Sequence, residues 1–395
     1  MLFRSGSVTF SGSGNFSIFG SWSVAATGVI WSTTGTNTMA ATTTGKTINT
    51  NGVSINSGTI DFNGVGGGWT CTSAFNSGAG NITLTNGSLN TGNQTFTCNF
   101  LSTTNSNVRS LTLGSSTCTF GGGGSFQTTN TTNLTFSAGT STVNITNANA
   151  TFSGGGLTFY NVAFTAVAPG TLTINGANTY NNLTFTSRNA TGVGSIVFSA
   201  NQTINGTLTL GAANTPIRRL FVQSNAIGTQ RTITVNGSLA ALADIDFRDI
   251  KAAGSVATPW TGTRLGNCLG NDATTITFPA GVNKYWYSAT GAGGLWTDAQ
   301  WELTAGGTSP SINNFPLAQD TVVFQNANLT AGNTITVNTA AWNIGSLNFS
   351  SRSTAMNFNQ GINAIYCYGS IRSEEHTSEL QSHLNLVCRL LLEKK

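Results

Sequence analysis

Short runs that alternate an apolar residue with Thr, Ser or Asn fill the first 250 residues, as in Ile82-Thr83-Leu84-Thr85, Leu111-Thr112-Leu113, Thr171-Leu172-Thr173-Ile174 and Leu208-Thr209-Leu210. A period of two sends every second side chain to the same side of an extended chain, so each run predicts a half-buried strand. Asn-Gly pairs punctuate the runs: Asn51-Gly52, Asn63-Gly64, Asn86-Gly87, Asn175-Gly176, Asn205-Gly206 and Asn236-Gly237. These are turn signals, because Asn and Gly tolerate a left-handed backbone. Helix-forming runs of Glu, Lys, Gln and Leu are absent before residue 372. The expected fold class is all-β.

The strands and turns recur at about twenty residues, the length of one coil of a parallel β-solenoid. Leu157 to Thr165 is echoed by Ala177 to Thr186, which sets Tyr160 and Tyr180 one coil apart. Thr97-Cys98-Asn99-Phe100 and Thr117-Cys118-Thr119-Phe120 repeat at the same interval. Like residues then stack at the strand spacing, and residues 1–250 make a rod of roughly a dozen coils. Cys98 is expected directly against Cys118 in a ladder of free, inward thiols that Cys71 extends, with Cys268 and Cys367 outside it. Parallel stacking does not require disulfide geometry. The rival is a string of small antiparallel sandwiches, which the Asn-Gly hairpin signals favour.

The pattern changes after Leu239. Asp244, Asp246, Arg248 and Asp249 bring three carboxylates and a cation into six positions, and irregular polar sequence follows. A new unit opens at Lys284-Tyr285-Trp286, with Trp296 and Trp301 close behind and further alternating strands at 321–324, 334–337 and 344–349. The expected organisation is a β-solenoid over 1–250, a closing segment and linker over 251–283, and a second, truncated β-rich module over 284–371.

Composition sharpens this. Only 28 of 395 residues are charged, 7%, against roughly 25% in ordinary soluble domains. A coiled coil and a charged disordered chain are thereby excluded, while 23 Phe residues give the chain a core to build. Residues 372–395 break the pattern, with 8 of the charges and both histidines. Arg372 to His383, RSEEHTSELQSH, resembles an in-frame translation of a sequencing-library adapter, so 372–395 is expected to be an artefact and is set aside. The protein is then expected to be a fragment that continues past Ile371, and its start is expected to be incomplete too, because Met1-Leu2-Phe3-Arg4 runs straight into strand-like sequence without an apolar h-region.

With no His before residue 372, neither a Ser-His-Asp nor a Cys-His apparatus can be assembled, and zinc ligand sets are missing. Gly45-Lys46-Thr47 lacks the first Gly of a phosphate-binding loop, and the Gly64–Gly68 and Gly121–Gly124 runs lack the Asp of calcium-binding repeats. Catalytic residues, cofactor-binding residues, metal ligands and cofactors are accordingly all expected to be none. Alternation places Asp244, Asp246 and Arg248 on one strand face with Asp249 on the other, an arrangement that suits sugar-cleaving acid pairs. The plainer reading is a solvated, salt-bridged strand end; Asp298 and Asp320, beside Trp and Pro turns, are expected to bond backbone amides. The basic pair Arg218-Arg219 has neither helix nor interleaved aromatics, so no nucleic acid is expected, and no apolar run of eighteen residues predicts a membrane span.

The stretches Gly154 to Asn161, Ala200 to Thr209, Asp246 to Ile250, Gly262 to Cys268 and Phe315 to Thr321 resemble a family of β-strand repeat proteins of tailed phages and environmental bacteria. The pattern of Tyr285, Trp286, Trp296, Trp301, Pro316 and Asp320 resembles the opening of modules in secreted bacterial adhesins. The resemblance implies a non-catalytic structural or adhesive protein of a virion appendage or cell-surface fibre, with a host surface or polysaccharide as partner and homo-oligomerisation left open. The alternatives are a secreted bacterial adhesin and a polysaccharide depolymerase built on a β-helix, the latter using Asp244 and Asp246.

Overall fold

A computed structural model describes residues 7–339 and 341–373. The adapter-like segment therefore lies outside the described residues apart from Arg372 and Ser373, as does the expectation for Met1 to Arg4. The chain is a parallel β-solenoid with a second β module at its C-terminal end. One face runs through twelve strands, from Phe16–Ile18 to Gly266–Leu269, each paired with the next in parallel. At about 4.8 Å per strand this face extends for roughly 55 Å. The sandwich alternative is overturned: in the solenoid the strand ladders are parallel.

Alternation explains the core. In Thr171–Asn175 the Leu172 and Ile174 side chains are fully buried while Thr171 is exposed. Stacking then builds columns along the rod, such as Ile60, Ile82, Leu101, Phe126, Phe152, Ile174 and Phe198, paired strand to strand. All seven are 0% exposed, because a middle coil hides each inward side chain from above, below and across. Aromatic pairs fall into register where the coils match: Phe164 and Phe185 stack at 4.8 Å with rings 6° apart.

The coil is not a fixed twenty residues. Paired positions lie 19 residues apart at Ile82 and Leu101 and 31 apart at Gln202 and Ile233. This corrects two expectations. Tyr180 stacks on Phe159, so Tyr180 is buried and Tyr160, one position on, faces outward at 36% exposure. Cys118 pairs with Phe96 and Cys98 with Phe120, which puts the two thiols in neighbouring inward columns instead of one ladder. Cys71 pairs with Ile48 on another face and does not extend it. All three thiols are free and buried, in agreement with the expectation of no disulfide.

The Asn-Gly pairs do not close hairpins. Asn63 and Asn86 fall in adjacent coils and share a 2.7 Å bond between their carboxamides, and Asn236 donates to Asn205 at 2.9 Å. At Gly64 a Cβ would lie 1.8 Å from the Ala41 carbonyl oxygen, so a bare backbone is what lets one coil settle on the last.

The cross-section contracts after Ser137. Thr142 follows Phe126 by 16 residues in one coil, whereas their partners in the next, Asn161 and Phe152, are 9 apart. In the wider coils a separate strand, Arg109–Thr112 and then Leu134–Ser137, spans the third face. In the narrower ones Thr158–Phe164 and Thr179–Phe185 serve two faces as single strands. Leu134–Ser137 is paired with Arg109–Thr112 and, among the described residues, with no strand beyond it.

Trp260, Leu265 and Ile276 from the segment after Ile250 join the solenoid core, with Phe278 packed against it, and the strands Ile250–Ala253 and Gly266–Leu269 supply its last rungs. The second module is also mostly a parallel stack: Asn283–Trp286, Thr321–Val323, Ser346–Asn348 and Ile371–Arg372 pair in that order. Its core gathers Trp286, Trp296, Trp301, Phe315 and Trp342. Val193, Phe221 and Cys268, which point outward from the solenoid, belong to this second core, so the module sits against the side of the last coils.

Candidate functional site

Asp244 and Asp246 sit beside this contact. Ile245 and Phe247 turn into the solenoid core, which alternation requires to send Asp246 outward. Asp244 occupies a left-handed corner at φ 54°, so its direction comes from a bend and not from strand alternation. Both are 1% exposed. The expectation of a solvated strand end is corrected, because the second module covers the outer face there; the salt-bridged part of it is observed.

Arg219, in the preceding coil, reaches between them. It donates through Nη1 to Asp244 Oδ1 at 3.0 Å, and through Nε at 3.1 Å and Nη2 at 2.5 Å to Asp246 Oδ1. Arg264 clamps Asp244 from the other side, Nε to Oδ1 and Nη2 to Oδ2, both at 2.7 Å. The last oxygen, Asp246 Oδ2, accepts from Asn343 Nδ2 of the second module at 3.0 Å. Burial works against the Arg219 charge, and the Asp246 and Asp244 carboxylates together outweigh it, so the guanidinium is held above its usual range. Two cations and two anions balance, and all four carboxylate oxygens are engaged. A glycosidic acid pair needs one carboxyl free to give a proton and the other open to the sugar or a water. Neither condition is met at this pair as it stands.

The network continues into the second module. Tyr368 donates to Asn343 at 3.1 Å, Arg264 to Asn313 at 2.6 Å, and Gln319 to the Leu265 carbonyl at 3.1 Å. Lys284 lies 3.8 Å from Asp320, whose two oxygens accept from the Val282 and Leu317 amides at 3.0 Å each. Asp298 accepts from the Leu295 amide at 2.8 Å. Asp249 and Arg248 take no part in the clamp: Arg248 lies over the Phe221 ring, 5.4 Å from its centre, and Asp249 is buried at a second left-handed corner.

Sequence reasoning missed Arg219 and Arg264 as the partners of the two aspartates. The spacing held a signal, since Arg219 precedes Asp244 by 25 residues and Arg264 follows it by 20, close to one coil each way. The basic pair weighed for nucleic acid is split by the same fact: Arg219 is buried in the clamp and Arg218 alone stays exposed.

Burial removes charge from the exterior. Arg109, Arg188, Arg219, Lys284 and Arg352 are buried, as are Asp244, Asp246, Asp249, Glu302 and Asp320. These are half of the 20 charged residues before Arg372. Asn and Thr ladders occupy the outer surface instead: Asn182 donates to Asn161 at 2.8 Å, and Asn161 to Thr142 at 3.3 Å. Among the described residues no cluster of three or more His, Cys, Asp or Glu could hold a metal, and no helix is long and apolar enough to cross a membrane. The sequence matches no protein-family model, and no curated protein or solved structure matches it.

Proposed function

We propose that the chain is a non-catalytic structural or adhesive repeat protein, displayed on a virion appendage or cell-surface fibre, that holds a host surface or glycan without turning it over. One observation carries this reading: the single acid pair that alternation offered to catalysis has every carboxylate oxygen engaged and is sealed under the second module. A rigid rod with a nearly uncharged face of Thr and Asn suits contact with neutral, hydroxyl-rich surfaces, which amides and hydroxyls match as donors and acceptors. It suits nucleic acid poorly, since phosphate binding draws on exposed Lys and Arg.

The test is to incubate the purified chain with capsular and cell-wall polysaccharides and follow polymer length by size-exclusion chromatography, alongside sedimentation of the chain with whole cells. Retention on cells with unchanged polymer length is expected. Shortened polymer, abolished by Asp246→Asn, would establish the depolymerase alternative instead.

A further inference from the structure

The contraction of the coil leaves a ledge. Leu134–Ser137, the last wide strand of the third face, overhangs the narrower coil that carries Thr158–Phe164, and a groove of about 370 Å³ lies along the step. Leu134 and Phe136 occupy inward positions that elsewhere in the rod are fully buried, and here they are half-buried. Phe136 and Phe159 meet at the groove floor with ring centres 5.1 Å apart.

Main-chain groups are open on both lips. Arg109 N–H donates to the Asn133 carbonyl at 3.0 Å and Leu113 N–H to that of Ser137 at 2.8 Å. With Leu111 opposite Phe136, the alternation of a parallel ladder turns the Phe136 N–H and C=O away from that strand and toward the groove. On the other lip Thr179 N–H donates to the Leu157 carbonyl at 3.1 Å, which turns the Thr158 N–H and C=O toward the step; Asn161 N–H donates to the Ser141 carbonyl at 3.1 Å, so the Tyr160 carbonyl points away from it. Side chains add to these. The Thr158 hydroxyl, the Tyr160 phenol and the Asn181 carboxamide line the groove and, among the described residues, bond to no other side chain, in contrast to Asn161 and Asn182 in the ladder beside them. Asn205 contributes a carboxamide of which the oxygen alone is engaged, by Asn236.

We propose that this ledge is a binding site for a short neutral glycan. Its lining is uncharged, which gives sialylated, sulfated or phosphorylated ligands no counter-charge. An exposed aromatic ring beside convergent amides and hydroxyls offers an apolar patch and hydrogen-bond partners together, as the two faces of a sugar ring require. The volume lies at the small end of ligand sites. An extended peptide fits less well, because Phe136 is the residue of the overhanging strand that presents both of its main-chain groups, too few for strand addition. The assignment rests on the adhesive reading and gives it a location.

The experiment is binding of the full chain to an array of short neutral oligosaccharides, with sialylated and sulfated glycans and uncharged Ser/Thr-rich peptides printed beside them. Tyr160→Ala and Asn181→Ala are compared with Tyr366→Ala, an exposed tyrosine of the second module. Expected is retention on neutral glycans, a loss of affinity of about tenfold or more in the first two variants, and no change in the third. Unchanged glycan binding in Tyr160→Ala and Asn181→Ala overturns the ledge site and leaves the adhesive reading intact. Preference for anionic glycans or for peptides overturns the neutral-glycan assignment. Absence of any binding on the array also overturns it, and the adhesive reading is then judged separately by the sedimentation with cells.

Discussion

At the scale of single residues, the chain uses its few charges as internal fasteners. Arg109 is 2% exposed and has no carboxylate partner among the described residues; it donates to the carbonyls of Thr103, Asn107, Asn130 and Thr132, tying the loops of two coils together. Arg219 does the same work between carboxylates. Breaking a buried pair from one side leaves an uncompensated charge and costs about 3–5 kcal/mol. Asp246→Ala is therefore expected to lower the unfolding free energy by that amount in guanidinium titrations; a loss below about 1 kcal/mol would mean that water reaches Arg219. The thiols give a pH prediction. Burial pushes Cys71 and Cys118 from 9.0 up to about 12. Between these values the unfolded chain releases protons that the folded one keeps, so stability falls as pH rises from about 9 toward 12, by up to about 1.4 kcal/mol per pH unit for each thiol. At pH 8 both are neutral and covered, and a thiol reagent should label them only on unfolding.

At the scale of the element, what was legible was the direction of side chains, and what was not was the register between coils. Thr171-Leu172-Thr173-Ile174 announces its own buried face because period two is a local property. Whether Cys118 stacks on Cys98 or on Phe96 depends on the lengths of loops on other faces, and an inserted residue there shifts the pairing without altering either strand. The same local signal was ambiguous at Asn86-Gly87 and Asn63-Gly64, since Gly serves a hairpin and a coil stack alike: Gly87 has a left-handed φ of 74°, and Gly64 permits the close approach to Ala41. The candidate site shows the same division: the face of Asp246 was readable, while the Arg219 clamp and its cover are products of stacking and docking. Glycines enforce that stacking. Gly92 has φ 67°, and a Cβ there would lie 1.7 Å from the Cys71 carbonyl oxygen. Gly92→Ala therefore combines a left-handed backbone with a clash against the neighbouring coil, and a destabilisation of about 2–4 kcal/mol is expected. Gly45→Ala, with φ 79° but open space around it, should cost about 1 kcal/mol, the conformational part alone. Equal losses in the two variants would show that the close approach between coils carries no weight.

At the scale of the whole molecule, two cores share a wall. A parallel solenoid passes stability from neighbour to neighbour, so its last coils depend on whatever covers their open end and flank. Here Trp260, Ile276 and Phe278 fill the end, and the second module covers the flank through Val193, Phe221 and Cys268. The Arg219, Asp246 and Asn343 chain crosses the same boundary, with Arg264 to Asn313 beside it. Coupling of this kind makes the two units melt together as long as the boundary free energy exceeds the difference between their own stabilities. Phe221→Ala joined with Asn343→Ala removes apolar packing and the crossing hydrogen bond while leaving Arg219 paired with both aspartates, so it weakens the boundary without creating a buried free charge. The parent chain is expected to show one calorimetric transition, and the double variant two. The earlier one should coincide with loss of the emission of Trp286, Trp296, Trp301 and Trp342, and the later one with loss of the solenoid's β signal in circular dichroism. A single transition displaced to lower temperature in the double variant would mean that the second module adds further coils to one continuous cooperative stack.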